Sequence, residues 1–548
     1  MGIVSETNLV ATQVWRYMRA LVVSEKIQKR GAAGREAILY IDGMEPTPSI
    51  TEVDKLRQDA REGRISTDRL VDLIVTLQRQ LQAALLRIAE LEKQIGGSGT
   101  VKVEQSYSMQ AEEKRQKARG KKKPKKKKPK ARHGRISTKD KIKLAERTEP
   151  AFPEGVPHHE CKLSHTRVVW RLESGRAILI AYQIYRGPKN QYGKIPGVLG
   201  RSEFGLEIVI EIAHLVHVVG MSFDKVCVLL NFFQKLKLQK SQVNALLYRL
   251  SRHWEHEFEA LCTLLANSAV VHTDETSWSL NSVRVFLSEQ ARVLLFGVPK
   301  DGATLKVMLD PATFAGIVIS DDAAMYANFS AAQKCWAHLL RKAIKLTLED
   351  PDNLEYRQFT DRLLEIYWEA CRVQRDGRLS DAGRAAKVAA LDDELLELCA
   401  PMWVAELPPL VGPEDDYRLL ANEIMRLMLA KQLFMFVTAK PVQQPNGETK
   451  PVAGTNNEAE RTLRNPAMAR DTGRTNKTLR GARRQTILVS VLESLRLYLP
   501  EFTLTSVVAE IKRWWQCGQS CFTKLLKKQK LQVPKEPILD AILPIPDS

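Results

Sequence analysis

Apolar residues recur along this chain with changing period, and the period predicts the element. Leu70, Ile74, Leu77, Leu81, Ala84, Ile88, Leu91 and Ile95 alternate steps of four and three, and Gly96-Gly97-Ser98-Gly99 then stops the helix. Such a heptad seam needs a partner to cover it. A parallel homodimer is the simplest one, and a hairpin with the helix around Val10 to Val23 is the alternative. Between Ile178 and Lys194 the composition turns Tyr- and Gly-rich and reads as strands and turns. Helical periodicity takes over from Glu203. Ser222 opens a helix through Val226, Leu229, Leu230 and Phe233, and Lys240 opens another with Val243, Leu246, Leu247 and Leu250 on one face. Two short helices joined tightly fit a helix-turn-helix, in which Lys240, Gln242 and Asn244 would meet base edges. A helical hairpin packed on a core reads the same way.

Further on the pattern becomes that of buried strands. Ala269-Val270-Val271-His272-Thr273-Asp274-Glu275-Thr276 is an apolar run that ends on acids, and Gly316-Ile317-Val318-Ile319-Ser320-Asp321-Asp322 repeats the theme. Val283 to Glu289 and Val293 to Val298 read as two further strands. From Trp336 through Leu433 the chain is helical again, with Leu363, Leu364, Tyr367, Trp368, Leu395, Leu396 and Leu398 as expected core positions. An acidic helix start follows at Asn456-Asn457-Glu458-Ala459-Glu460.

Charge changes this picture in one place. The chain carries 83 Lys+Arg against 64 Asp+Glu, a formal charge of +19. Between Lys114 and Arg135 lie fourteen Lys/Arg and no acid, so 19 − 14 leaves +5 for everything else. Lys121, Lys122, Lys123, Lys125, Lys126, Lys127 and Lys128 form its centre, interrupted by Pro124 and followed by Pro129. A tract with prolines and no apolar residue larger than Ala118 and Ala131 cannot pack a core, but it can neutralise phosphates without fixed geometry. Nucleic-acid contact is the expected role, and a solvated linker is the alternative. At 44% hydrophobic over 548 residues the chain can bury several cores. The longest apolar stretch, Ile208 to Gly220, is broken by Glu211, His214 and His217, which argues against a membrane span. Met1 to Lys26 has no secretory pattern and Glu6 spoils a myristoylation pattern, so an intracellular protein is expected. Eight scattered cysteines predict reduced thiols.

Two strands that each deliver a carboxylate bring like charges together unless a proton or cation neutralises them. Magnesium suits carboxylates while keeping waters for substrate phosphates, and a pair of such ions can serve both oxygens of an in-line phosphoryl transfer. His158, His159, Cys161 and His165 are a weaker metal candidate, because no second Cys/His pair follows at structural-zinc spacing. Zinc is therefore not expected.

The order of these pieces resembles the insertion sequence 66 family of DDE transposases. The matching motifs are Asp274-Glu275-Thr276, Ser320-Asp321 with Tyr326, Cys335-Trp336-Ala337-His338 with Arg341-Lys342, and Asn456-Asn457-Glu458-Ala459-Glu460-Arg461 with Arg464. The resemblance covers roughly residues 200 to 500. It implies an RNase H-like α/β catalytic domain in which Asp274, Asp321 and Glu460 hold two Mg²⁺ (or Mn²⁺) ions, with an all-α insertion between the second and third acids. His338 reads either as a residue near the scissile phosphate or as part of a packed helix. Arg461, Arg464, Arg474, Lys477, Arg480, Arg483 and Arg484 follow the third acid and would hold DNA phosphates, with a solvated basic helix face as the alternative. The sequence departs from the family pattern at Thr455, at Asp322, at Arg470-Asp471-Thr472-Gly473 and in lacking the doubled-cysteine zinc segment.

The expected organisation is an N-terminal helical segment (1–60), a coiled coil (61–97), a basic linker (98–150), a small strand and turn segment with a degenerate zinc-binding region (151–200) and a helix-turn-helix-like region (201–262). A first catalytic part (263–335), a helical insertion (336–445), a second catalytic part (446–500) and a helical tail (501–548) complete it. The expected function is cleavage and joining of insertion-sequence ends. The expected partners are terminal inverted repeats, target DNA, a second copy or higher oligomer, and companion proteins of the same element, in a bacterial cytoplasm at the nucleoid. A DNA-binding protein that has lost its chemistry and a nuclease without strand transfer are the rival functions.

Overall fold

The structure is a computed structural model that describes residues 137–402 and 412–544. The heptad helix and the basic tract Lys114 to Arg135 lie outside the described residues. A short helix α1 (Thr138–Lys143) precedes a three-stranded sheet of β1 (Arg147–Ala151), β2 (Lys162–Glu173) and β3 (Arg176–Arg186), ordered β1-β3-β2. His158 stacks on Phe152 at 3.9 Å between ring centroids. His158, His159, Cys161 and His165 do not gather three ligand atoms within 4.8 Å of one another.

Helices α2 (Leu206–Ala213), α3 (Phe223–Gln234), α4 (Lys240–His253) and α5 (Glu255–Ala266) follow, with a π-helical turn at His214–Val218 directly after α2. Ser222 caps α3 by accepting from Lys225 N–H at 3.3 Å, and Val243, Leu246, Leu247 and Leu250 form the buried face of α4. Phe233, expected inside, is 69% exposed, because the helix turns only Val226 and Leu230 fully inward.

The central sheet comprises β4 (Val270–Ser277), β5 (Ser282–Ser288), β6 (Arg292–Val298), β7 (Ile317–Ser320) and β8 (Ala332–Lys334), in the order β6-β5-β4-β7-β8. Strands β4, β5 and β6 are antiparallel neighbours, whereas β7 and β8 run parallel to β4. Helix α6 (Gly302–Met308) makes the crossover from β6 to β7. Alternation along each strand serves two cores. Val293 and Leu295 join the core of helices α2 to α5, while Leu294 and Phe296 join Ala459 and Leu463 on the opposite face. A sheet buried on both faces explains why its strands read as continuous apolar runs.

Between β8 and the last acidic motif stand α7 (Trp336–Glu349), α8 (Leu354–Arg375), α9 (Asp381–Cys399), α10 (Pro413–Leu429) and α11 (Met435–Thr438), which share a core of their own. Leu363 and Leu395 are buried there as expected, but Trp368 and Leu396 are 60% and 42% exposed. Neither follows the inward stripe of its helix. The chain closes with α12 (Asn457–Asp471), α13 (Leu479–Leu495), α14 (Leu504–Cys517), α15 (Cys521–Lys528) and α16 (Ile538–Ile542).

Strand β6 is a sheet edge, and α13 covers it chemically as well as sterically. Thr486, Ser490 and Ser494, four residues apart and fully buried, accept from the backbone N–H of Phe296, Leu294 and Arg292 at 3.0, 3.0 and 2.9 Å. One hydroxyl per helical turn thus satisfies every second donor of the open strand. Ser490→Ala is expected to cost about 1–3 kcal/mol by leaving a buried N–H unpaired. Denaturant unfolding measures this loss.

Candidate active site

Strand register sets the first two acids side by side. Val270, Val271 and His272 of β4 pair in parallel with Ile317, Val318 and Ile319 of β7. Asp274 and Asp321 each stand two positions beyond His272 and Ile319, so the same register brings them level. Strand β4 does not end at the acid, as the apolar run suggested. It continues to Ser277 because Asp274 still pairs with Val285 of β5, and only the β7 side is open at this point.

Glu460 arrives on the first turn of α12, and Asn456 fixes where that helix starts. Asn456 is fully buried. Its side chain donates to the Thr273 carbonyl at 2.8 Å and lies 3.3 Å from His272 Nδ1, while its backbone N–H donates to Cys335 Sγ at 3.1 Å. One residue therefore ties α12 to β4 and to the start of α7. In sequence the Asn-Asn pair reads only as part of a motif, and nothing in the linear pattern announces this brace.

Burial, together with the negative charges of Asp321, Glu275 and Glu460, pushes the Asp274 carboxyl up to about 7, although the Glu275 N–H donated to it at 2.8 Å opposes the shift. Among the described residues no ion pair reaches Asp274 or Asp321. Their sequence neighbours are all engaged. Glu275 pairs with Lys300 at 3.0 Å and accepts from Tyr326 Oη at 2.7 Å, Asp322 pairs with Arg426 of the helical insertion, and Glu458 pairs with Arg292 at 2.5 Å. Glu460 accepts from Arg341 at 2.5 Å, with His338 Nδ1 at 3.6 Å. Burial and Arg341 lower the His338 pKa, so this second contact joins a neutral imidazole to a carboxylate. Among the described residues, Cys335, His338 and Glu460 are the one group of three His, Cys or acidic ligand atoms all within 4.8 Å of one another. Cys335 is a buried thiol raised by desolvation, however, which makes it a poor ligand as it stands.

The model of the Transposase IS66 family matches residues 201–484 of this chain, more than half of its 548 residues. The chain belongs to that family. The mixed α/β architecture is compatible with an RNase H-like transposase domain, and proteins of this kind cut and transfer DNA, generally with divalent metal ions. No curated protein matches the sequence. No helix among the described residues is long and apolar enough to cross a membrane.

The residues expected to touch DNA in this transposase fall into different situations. Arg461, Arg464 and Arg480 are exposed. Arg484 is mostly buried, lies 5.5 Å from the Phe223 ring and donates to Asn244. Arg483 pairs instead with Asp540 and reaches the Leu543 carbonyl at 3.4 Å, so it fastens the C-terminal helix. Lys240 pairs with Asp224 at 2.5 Å, and Gln242 folds back to accept from Gln239 N–H at 2.9 Å as part of a capping box. Lys121, Lys122, Lys123, Lys125, Lys126, Lys127 and Lys128 lie outside the described residues.

Proposed function

We propose that this transposase cleaves element ends and joins them to target DNA at Asp274, Asp321 and Glu460. The observation that carries this reading is selective ion pairing. Two acids aligned by the parallel register enter no ion pair among the described residues, with Lys334 Nζ held on the Asp321 backbone carbonyl at 2.9 Å, while Glu275, Asp322 and Glu458 are each paired elsewhere and Glu460 is paired with Arg341. Asp274, Asp321 and Glu460 would hold Mg²⁺ or Mn²⁺ ions, although their ligand atoms do not all lie within 4.8 Å of one another and Glu460 would first have to leave Arg341. Bound there, two divalent ions supply activation of a water or 3′-hydroxyl and stabilisation of the leaving oxygen. The chain's own contribution is placement. Strands β4 and β7 fix the two aspartates, Asn456 fixes Glu460, and Arg341 keeps Glu460 from being a third free charge beside them. His338, neutral and half-buried, stands where it could orient a scissile phosphate by hydrogen bonding.

The heptad helix would pair two copies so that one assembly holds two ends, and the basic tract would add affinity without sequence preference. Deleting residues 114–135 is expected to flatten the dependence of log affinity on log salt, by about 0.9 for each phosphate that the tract neutralises. A titration at several salt concentrations reads the slope.

The test is a strand-cleavage and strand-transfer assay on end-containing duplexes with Mg²⁺. Cleaved and joined products are expected. Cleaved products alone would favour the nuclease reading, and intact DNA with binding retained would favour a protein without chemistry. Asp322→Asn is expected to keep cleavage within about tenfold, because a partly exposed pair with Arg426 contributes only about 0–1 kcal/mol. Loss of all activity in that variant would move the assignment of the second acid by one position.

A further inference from the structure

A cleft of about 790 Å³ opens on the flank of α12, lined by residues of the π-helical turn, α3, α4, α12 and α13. Its charged lining is Arg461, Arg474, Lys477, Arg480 and Arg484 against Glu493 alone. Such a volume is that of a site for a compact organic ligand, and its cationic character selects an anionic one. The wall is also aromatic. Tyr248, 42% exposed as a residue, lines the cleft, and Asn244, one helical turn earlier on α4, lines it beside Tyr248 with its Oδ1 accepting from Arg484. One more observation marks this wall as more than packing. It contains the π-helical turn His214–Val218, a geometry concentrated at functional sites.

Cations, a partly exposed aromatic residue and a side-chain amide in one concavity are what a single nucleotide needs. A paired duplex offers only its outer phosphates to such a hollow, since its bases are stacked and their edges face the grooves. Arg461 follows Glu460 directly on α12, so the cleft and the acids flank one helix whose width is about 10 Å.

We propose that the cleft receives one unpaired nucleotide of the DNA strand held at the acidic site, with its base stacked on Tyr248 and its phosphate held by Arg461 and Arg480. This deepens the cleavage reading and rests on it for the identity of the strand. A nucleotide drawn out of the helix beside the cut would fix the strand in position and lower the cost of separating the end base pairs.

The test measures binding in EDTA, where no cleavage occurs, so that it stands or falls apart from the triad. The probes are a fluorescein-labelled duplex of arbitrary sequence with one extrahelical 2-aminopurine and the fully paired duplex of the same length. The full chain is expected to bind the first about tenfold more tightly, the effect of one base stacked on an aromatic ring. It is also expected to quench the 2-aminopurine. Tyr248→Ala should bring the ratio close to one and abolish the quenching, and Tyr248→Phe should restore both. Equal binding of the two duplexes by the unaltered chain, or quenching that persists in Tyr248→Ala, would overturn the proposal. Thymidine monophosphate separates the two possible sources of the nucleotide. Tight saturable binding of the free nucleotide without any preference for the bulged duplex would overturn the assignment to a DNA strand.

Discussion

Asp274→Asn is expected to reduce strand cleavage at least about 10³-fold, the scale of losing one member of a set that stabilises developing charge. End binding should survive, because the substitution removes no cation and keeps the shape of the side chain. The same change should make the metal-free protein more stable. An acid pushed from its usual 3.8 to about 7 in the fold destabilises that fold once the unfolded chain is ionised. Below about pH 3 neither state is appreciably ionised and the penalty is absent. It grows as pH rises towards 7 and is complete above that, with an upper bound of about 4 kcal/mol. In EDTA the melting temperature of Asp274→Asn should therefore exceed that of the unaltered chain at pH 8 and match it near pH 3. A variant that is inactive and equally stable at both pH values would contradict a strained acidic site. Saturating Mg²⁺ should narrow the difference at pH 8, since cations relieve the same repulsion.

Asn456→Ala is expected to have the second largest effect, and to act at a distance from the reacting atoms. It strands the Thr273 carbonyl and removes the His272 contact, both in buried surroundings, at about 1–3 kcal/mol for each group left unpaired. It also frees the start of α12, whose Glu460 N–H bonds back to the Asn456 carbonyl at 3.1 Å. Misplacing a reacting group by about 1 Å can cost about 10²-fold in rate, so cleavage should fall by that order even at temperatures where the variant remains folded. Calorimetry and single-turnover cleavage at low temperature separate the two contributions. Normal single-turnover cleavage by a destabilised but folded variant would show that Asn456 supports the fold and not the placement of Glu460.

Much of this organisation is legible in the linear pattern. Buried strands announce themselves as apolar runs such as Val270 to Thr273 and Ile317 to Ser320, because a sheet covered on both faces needs no polar alternation. Helix starts are legible at Ser222 and Lys240, where polar residues precede an apolar stripe. Exposed apolar residues are not. Trp368 and Phe233 look like core residues in sequence, and only the packing of neighbouring helices turns them outward. The polar start of α4 is equally ambiguous. Lys240 and Gln242 read as base contacts, yet an ion pair and a capping bond occupy them, as local geometry allows for any exposed helix start.

By itself the sequence determined the heptad pattern, the basic tract, the order of the acidic motifs and hence the family, since all of these are short-range patterns or fixed spacings. The tertiary structure alone decided which partner each acid meets, with Asp274 and Asp321 outside any ion pair among the described residues and Glu460 paired with Arg341. Asp322 finds Arg426 across 104 residues, Glu458 finds Arg292 across 166, and Glu275 is held by Tyr326 across 51. Electrostatic pairing depends on distance in space, which leaves no period in a sequence. The same reason hid the cleft beside α12, whose lining comes from segments that meet only when helices α3, α4, α12 and α13 pack together.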